Sequence, residues 1–217
     1  MKRARSLDAV VIATDAAEIA NACRAFGAVV EMTRADHPSG TDRVAEVVSR
    51  MPSVEFAVNV QGDEPEVRPE DVDVLVDTLR RSGADVATLA APCPPERFGE
   101  ASSVKVVVDR RGRALYFSRA PIPHPRFAKE APAQIPMQHV GLYGFRREAL
   151  AAFAELAPTP LERTEGLEQL RFLEHGRSIA VGTIARAPVG VDTPDDYARF
   201  VAAWRARTGP GNALGAR

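Results

Sequence analysis

The chain has 217 residues, enough for one large domain or two small ones with a substantial core. Its 28 basic and 29 acidic residues nearly cancel, so no global basic field points to nucleic acid, and a small-molecule partner is the default. Cys23 and Cys93 are far apart and lack metal-ligand spacing, a pattern of a reducing cytoplasm rather than a disulfide scaffold. No apolar run approaches the ~18 residues of a membrane span, and AVVIA, residues 9–13, is shorter than the ~7-residue core of a signal peptide. A soluble protein of the cytoplasm, without membrane or nucleic-acid partners, is expected.

Strand-length apolar runs alternate with helical periods. AVVIA predicts a buried parallel strand ending in Thr14-Asp15, AAEIANACRAFG a helix closed by Gly27, and AVVEM a second strand. TRADHPSGTDR then leads into a helix whose Val44, Val47, Val48 and Met51 share one face, with Ser39 or Thr41 as its cap. Phe56 to Val60 predicts a strand that stops at Gln61-Gly62-Asp63-Glu64-Pro65. Pro69 opens a helix carrying Val72, Leu75, Val76 and Leu79, and Asp85 to Ala91 returns as a strand.

The middle changes character. SVKVVVD and RALYFSR, joined through Gly112, predict a hairpin, and a proline-rich loop follows. HVGLYGF predicts a strand, LERTEGLEQLRFLEHG a helix ending at Gly176, and SIAVGTIAR a last strand. In Thr193-Pro194-Asp195-Asp196 a cap, a first-turn proline and a capping-box acid open the final helix. Residues 208–217 predict a frayed tail. The alternation implies an α/β fold with a largely parallel sheet and an inserted antiparallel portion over about 103–145, within a single domain.

Ligands of such sheets sit beyond the carboxyl ends of the strands, which nominates Asp15, Asp63 and Asp192. Asp63 and Asp192 together would suit a hard divalent cation; singly, the first is a turn acid and the second a helix-flanking acid. PSGTDR offers backbone N–H groups and hydroxyls to a nucleotide, or simply caps its helix. His139 could serve a ligand or satisfy the core; His37 lies in the candidate nucleotide loop, and His124 and His175 read as surface residues. Glu162, Glu165 and Glu168 recur every three positions, the pattern of a solvated face, although Glu168-Gln169 could meet a polar ligand.

TRADHPSGTDR, NVQGDEP, VKVVVD with ALYFSRAPIP, HVGLYGF, PLERTEGLEQLR and GVDTPDD occur in order from about Asp8 to about Phe200. Together they resemble the CMP-Kdo synthetases, the 3-deoxy-manno-octulosonate cytidylyltransferases of lipopolysaccharide synthesis. The resemblance implies a Rossmann-like nucleotidyltransferase fold and Mg²⁺-dependent transfer of CMP from CTP to Kdo, with pyrophosphate released, in a homodimer. It places Asp63 and Asp192 as Mg²⁺ ligands and catalytic residues. Ser39, Gly40, Thr41 and Arg43 then meet the nucleotide, and Gln61, Arg119, His139, Tyr143, Glu168 and Gln169 the sugar, with Arg119 a fork for its carboxylate. Two other readings stand beside it: a sugar- or nucleotide-binding homologue without turnover, and a transferase for another acidic sugar.

The family also opens with a strand and an ARxxSxRLPGK-type loop that grips the triphosphate. MKRARSLDAVVIATD matches only from the family's second strand; RARS at 3–6 lacks the LPGK end and reads as the remnant of a preceding helix. The expectation is an N-terminally truncated chain, from a start codon placed too far downstream, with a fragment as the alternative. Loss of a central strand would leave backbone groups unpaired on both neighbours, at ~1–3 kcal/mol for each one buried.

Overall fold

The computed structural model describes residues 3–126, 135–191 and 193–208. Eight strands and seven α-helices, here named in chain order, build it. Strand β1 (Val11–Thr14), helix α1 (Ala17–Ala25) and strand β2 (Val29–Met32) form a parallel pair with its crossover helix, closed at Gly27 with φ 77°. Helix α2 (Gly40–Ser49) begins at Ser39, whose hydroxyl accepts the Asp42 N–H. Strand β3 (Phe56–Asn59) and helix α3 (Pro69–Ser82) follow, then strand β4 (Val86–Pro92). All three fall where hydrophobic periodicity puts them.

Strands β5 (Lys105–Val108) and β6 (Ala114–Ser118) form the expected hairpin, tightened at Gly112, where φ is 76°. Strand β7 (Met137–Arg146) is the long element of the sheet. It runs antiparallel to β4 along most of its length; on its other side β3 pairs residues 143–146 and β5 pairs residues 137–138. Strand β8 (Ile179–Thr183) lies parallel to β4. The six-stranded sheet is therefore mixed, in the order β6-β5-β7-β4-β8 with β3 beside β7. The antiparallel course of β7 agrees with the antiparallel portion expected over about 103–145, while its pairing with β4 lies beyond what periodicity reports.

Among the described residues β1 pairs only with β2 and β3 only with β7, so β1–β2 and the six-stranded sheet are separate hydrogen-bonded units. Helix α2 packs against both β1 and β3 and is the element that spans them. Two apolar clusters fill the faces of the larger sheet. One gathers Phe117, Phe145, Leu150, Phe153, Leu170 and Phe172; the other gathers Val72, Leu75, Leu79, Leu89 and Leu142 beneath α3. No helix among the described residues is long and apolar enough to cross a membrane.

One helix was not expected, and one helical expectation needs correction. REALAAF forms helix α4 (Arg147–Phe153) directly after β7, too short for its period to stand out. The single helix expected over LERTEGLEQLRFLEHG is two: α5 (Pro160–Glu165) ends at Gly166, with φ 62°, and α6 (Leu170–Glu174) restarts after Gln169. A left-handed glycine ends a helix whatever period continues beyond it. The final helix α7 (Pro194–Thr208) opens with the Thr193–Asp196 capping box read from sequence. The proline-rich loop at 127–134 and the tail at 209–217 lie outside the described residues.

Gly182 of β8 shows how tightly α3 seats on the sheet. A Cβ there would lie 2.6 Å from Thr78 Oγ1 and 2.9 Å from Leu89 Cδ2. Gly182→Ala is therefore expected to destabilise the fold by about 1–3 kcal/mol, measured as a lower urea midpoint with an unchanged m-value. An unaltered midpoint would mean that α3 shifts freely.

Candidate active site

The site forms where α2, the β3–α3 turn and the α5–α6 junction meet. Ser39 begins α2 because an extended residue whose hydroxyl meets the Asp42 N–H is the standard start of a helix; the same hydroxyl donates to Asp42 Oδ2 at 2.7 Å. Gly40 follows, with the end of the Gln61 side chain packed close beside its Cα. A Cβ on Gly40 would stand 3.1 Å from Gln61 Nε2 and 3.3 Å from Oε1. The candidate nucleotide loop and the end of β3 are thus in contact.

Thr41, buried, turns toward the α5–α6 junction. The Glu168 carboxyl lies within hydrogen-bonding reach of the Thr41 and Ser39 hydroxyls. Burial raises its pKa above the usual carboxylate range and Asp42 adds to that, while the two hydroxyls and Arg171 oppose it. Glu168 also acts on Tyr143: burial first, then the Glu168 charge, push the phenol far above its usual value, so it stays protonated and able to donate.

Beyond Tyr143 lies His139, with ring centroids 5.5 Å apart, and Phe117 meets the imidazole edge-on at 4.9 Å. Burial takes His139 down to about 3, so the ring is neutral at physiological pH. Its Nε2 is 2.9 Å from Thr88 Oγ1, and that hydroxyl sits 2.9 Å from the Leu142 carbonyl and 3.1 Å from that of Val140. A hydroxyl that donates to a carbonyl must accept from the imidazole. The proton therefore sits on Nε2, and Nδ1 is left as an acceptor for a donor such as a sugar hydroxyl.

Arg119 is engaged rather than free. Its Nε donates to the Glu165 carbonyl at 2.7 Å, Nη1 to Ala101 O at 3.0 Å and Nη2 to Gly166 O at 3.3 Å. Two of five N–H groups remain for a ligand. Glu165 in turn accepts from the Ser118 hydroxyl at 2.6 Å and the Arg119 N–H at 2.9 Å. Glu162 pairs with Arg171 through Nε at 2.8 Å. The three glutamates do not make the solvated face that their spacing suggests. With the helix broken at Gly166, each meets a different partner. Gln169 is buried beside them.

Asp63 is exposed on the β3–α3 turn, and its carbonyl accepts the Val191 N–H at 2.8 Å. Gly190 lies alongside, where a Cβ would be 3.6 Å from Glu64 Oε1. The segment just before Asp192 is thereby tied to Asp63, while Asp192 itself lies outside the described residues. Among the described residues no three His, Cys, Asp or Glu side chains converge as a metal site. Asp15, the third strand-end acid, pairs with Arg43 Nη1 at 2.9 Å, and the same nitrogen reaches Thr33 Oγ1. Arg43 thus braces the end of β1 against α2, and its charge is matched before any nucleotide arrives.

His37 is turned away, onto Glu46 of α2. A cavity of about 580 Å³ lined by His37, Glu46, Arg147 and Leu150 lies there, between α2 and α4, and none of the candidate residues lines it. Chemistry follows the convergence of polar groups rather than cavity size. Sequence reading missed Thr88 and Lys105, and read Glu165 only as part of a solvated face. A lysine opening an otherwise apolar strand, VKVVVD, is the signal that could have exposed Lys105.

Comparison with known proteins shows the family and the fold. The cytidylyltransferase family model matches residues 1–179. The 3-deoxy-manno-octulosonate cytidylyltransferase of Syntrophotalea carbinolica is 47% identical over 208 residues, covering 92% of this chain and 83% of that protein. That of an Anaeromyxobacter species is 48% identical over 199 residues, covering 91% and 80%. The solved structure of a CMP:2-keto-3-deoxy-manno-octonic acid synthetase complexed with CTP superposes with a TM-score of 0.89 at 39% identity, covering 95% of this chain and 84% of that one. A 4-diphosphocytidyl-2C-methyl-D-erythritol synthase from Anaerococcus prevotii, 12% identical with a TM-score of 0.61, shares the fold.

The raised pKa of Glu168 has a stability signature. Below 4.5 the carboxyl is protonated folded or unfolded, and no penalty exists; as pH rises into the window above 4.5, ionisation is harder in the folded chain and the penalty builds. Glu168→Gln should therefore raise the melting temperature at pH 7 by about 1–3 °C, with the gain vanishing near pH 4. A loss of stability at pH 7 would mean that Glu168 serves the fold.

Proposed function

The chain belongs to the cytidylyltransferase family, and from that membership we propose that it transfers CMP from CTP to 3-deoxy-manno-octulosonate (Kdo), in the service of lipopolysaccharide synthesis. A sugar hydroxyl attacks the α-phosphate, an O–P bond forms, the α–β phosphoanhydride breaks and pyrophosphate leaves. The names and the CTP ligand of its relatives support the substrates. One observation within the chain carries the reading: Glu168, on the α5–α6 junction, faces Ser39 and Thr41 at the head of α2, and on this reading its carboxyl would join the nucleotide loop to the sugar pocket.

Ser39, Gly40 and Thr41 receive the nucleotide; a Cβ at Gly40 would press the Gln61 amide aside, so the glycine lets Gln61 lie against the loop. Arg43 stiffens that loop through Asp15 rather than acting as a spare cation. Gln61, His139, Tyr143, Glu168 and Gln169 bond the hydroxyls of the sugar, and the remaining N–H groups of Arg119 its carboxylate. His139 accepts through Nδ1 and Tyr143 donates, a division of roles that their pKa directions support.

The oxygen-rich, exposed turn at Asp63 suits Mg²⁺, and the Val191–Asp63 hydrogen bond brings the stretch preceding Asp192 to it; these two carboxylates would hold the ion. Bound there, Mg²⁺ offsets charge on the reacting phosphate and orients the nucleophile. The protein's own part is positioning, which for phosphoryl chemistry is most of the catalysis. The chain acts as a single nucleotidyltransferase domain with residues 103–145 as its insert. Cys23 and Cys93, both free thiols, suit the cytoplasm. A homodimer forms through the insert, where Leu115 of β6 and Ile135 are each 62% exposed.

Pyrophosphate release tests the reaction. Release is expected only with CTP, Kdo and Mg²⁺ together; chelation should abolish it and added Mg²⁺ restore it. Asp63→Asn should lower kcat/KM about 100-fold or more, a loss of roughly 3 kcal/mol. Calorimetric binding of CTP and Kdo without turnover would instead favour a binding protein. Sedimentation tests the dimer: Leu115→Glu should shift it to monomer, and an unmoved profile would remove the insert as the contact.

A further inference from the structure

Lys105 opens β5 with its side chain wholly inside the protein, at 0% exposure. Its Nζ donates to Glu100 O at 2.8 Å, to Arg119 O at 2.7 Å and, more closely still, to Ser103 O. Three ammonium hydrogens thus meet three carbonyls. Burial pulls its pKa below the ordinary lysine value, an outlay that a surface lysine would not incur. Buried lysines are rare, and the proposed reaction leaves this one unused.

The three carbonyls are unlike ordinary turn acceptors. Two belong to the stretch 100–103, whose Ala101 carbonyl receives Arg119 Nη1, and the third belongs to Arg119 itself. The ammonium and the guanidinium therefore hold the same two segments from opposite ends. Arg119 continues the contact through Nε and Nη2 to Glu165 and Gly166, the residues leading to Glu168.

We propose that Lys105 is a positioning residue for the sugar half of the site: by gathering the carbonyls of Glu100, Ser103 and Arg119 it fixes the Arg119 guanidinium, and through it the 165–168 junction. The consequence for Kdo rests on the reading of that pocket given above; the fixing of Arg119 does not. Methionine at 105 keeps the apolar stem but leaves three carbonyls and the 100–103 stretch without their common donor.

Two readouts separate the parts. Solvent exchange of the Arg119 Nε–H, followed by NMR, should quicken by about tenfold in Lys105→Met, the loss of one well-made charged hydrogen bond. The Arg171 Nε–H, bonded to Glu162 at 2.8 Å, is the internal control and should hold its rate. General loosening would move both signals, and that outcome, or no change in Arg119, overturns the proposal. Should Lys105→Met not fold, Lys105→Arg keeps the charge and misplaces the donors; a change of about threefold is expected, and none in the folded variant is a refutation. Calorimetry supplies the second readout: Kdo binding should weaken about tenfold while CTP binding stays within twofold. Faster Arg119 exchange with unaltered Kdo affinity would support the fixing of Arg119 by Lys105 and overturn its consequence for the sugar half of the site.

Discussion

Strand β7 is the constraint on which the rest depends. Along ten residues it pairs with β4 on one side and with both β3 and β5 on the other. The β3 contact delivers the turn bearing Gln61 and Asp63, and the β5 contact delivers the hairpin that ends in Arg119. Between these, β7 presents His139 and Tyr143 from its own length. A register slip of one residue would exchange their faces with those of Val140 and Leu142, which are buried in the opposite cluster beneath α3. The apolar cluster under α3 thus also sets the register of the candidate site. Hydrophobic burial is non-directional, yet here it decides which polar groups face a ligand.

The polar groups themselves are held at some expense to stability. Glu168 is half-buried with its charge disfavoured, His139 is kept neutral, and Lys105 holds its ammonium with no solvent beside it. The charged or polar end of each would be better solvated in water. The pair Glu162–Arg171 behaves differently. Burial raises the Glu162 pKa, but the Arg171 guanidinium and the Thr159 N–H prevail and hold it below the ordinary value. Its ionised form is thus favoured by folding above 4.5, and that support is lost as the pH falls through the lower folded value. Two glutamates six residues apart therefore titrate in opposite directions, one serving the junction between α5 and α6 and the other exposed to strain at the site.

What was legible in the sequence divides along the same line. Helices α2 and α3 were visible because four apolar residues on one face are a local pattern, and Ser39 and Pro69 are local starts. The β5–β6 hairpin was visible from Gly112 for the same reason. The pairing of β7 with three strands and the break of the α5–α6 segment at Gly166 were not, because they turn on which elements meet and on one backbone angle. Among site residues, Asp63, Ser39 and Thr41 could be nominated from strand-end and helix-start rules. The contact of Gly40 with Gln61 and the convergence of Glu168 on Thr41 join residues 21 and 127 positions apart, which no spacing rule reaches.

The same distinction explains why the acids at 162, 165 and 168 mislead. A three-residue repeat of charge reads as one face of one helix, and solvent is the cheapest partner for such a face. Once Gly166 ends α5, the three carboxyls belong to different local frames, and Arg171, Ser118 with the Arg119 N–H, and Thr41 each become reachable. A single left-handed residue thereby converts a pattern of surface charge into three separate tethers, joining α5 to α6, the junction to β6 and the junction to α2. The site's geometry follows from that break as much as from any residue that would touch a substrate. The conformational freedom of Gly166, at φ 62°, is what permits it.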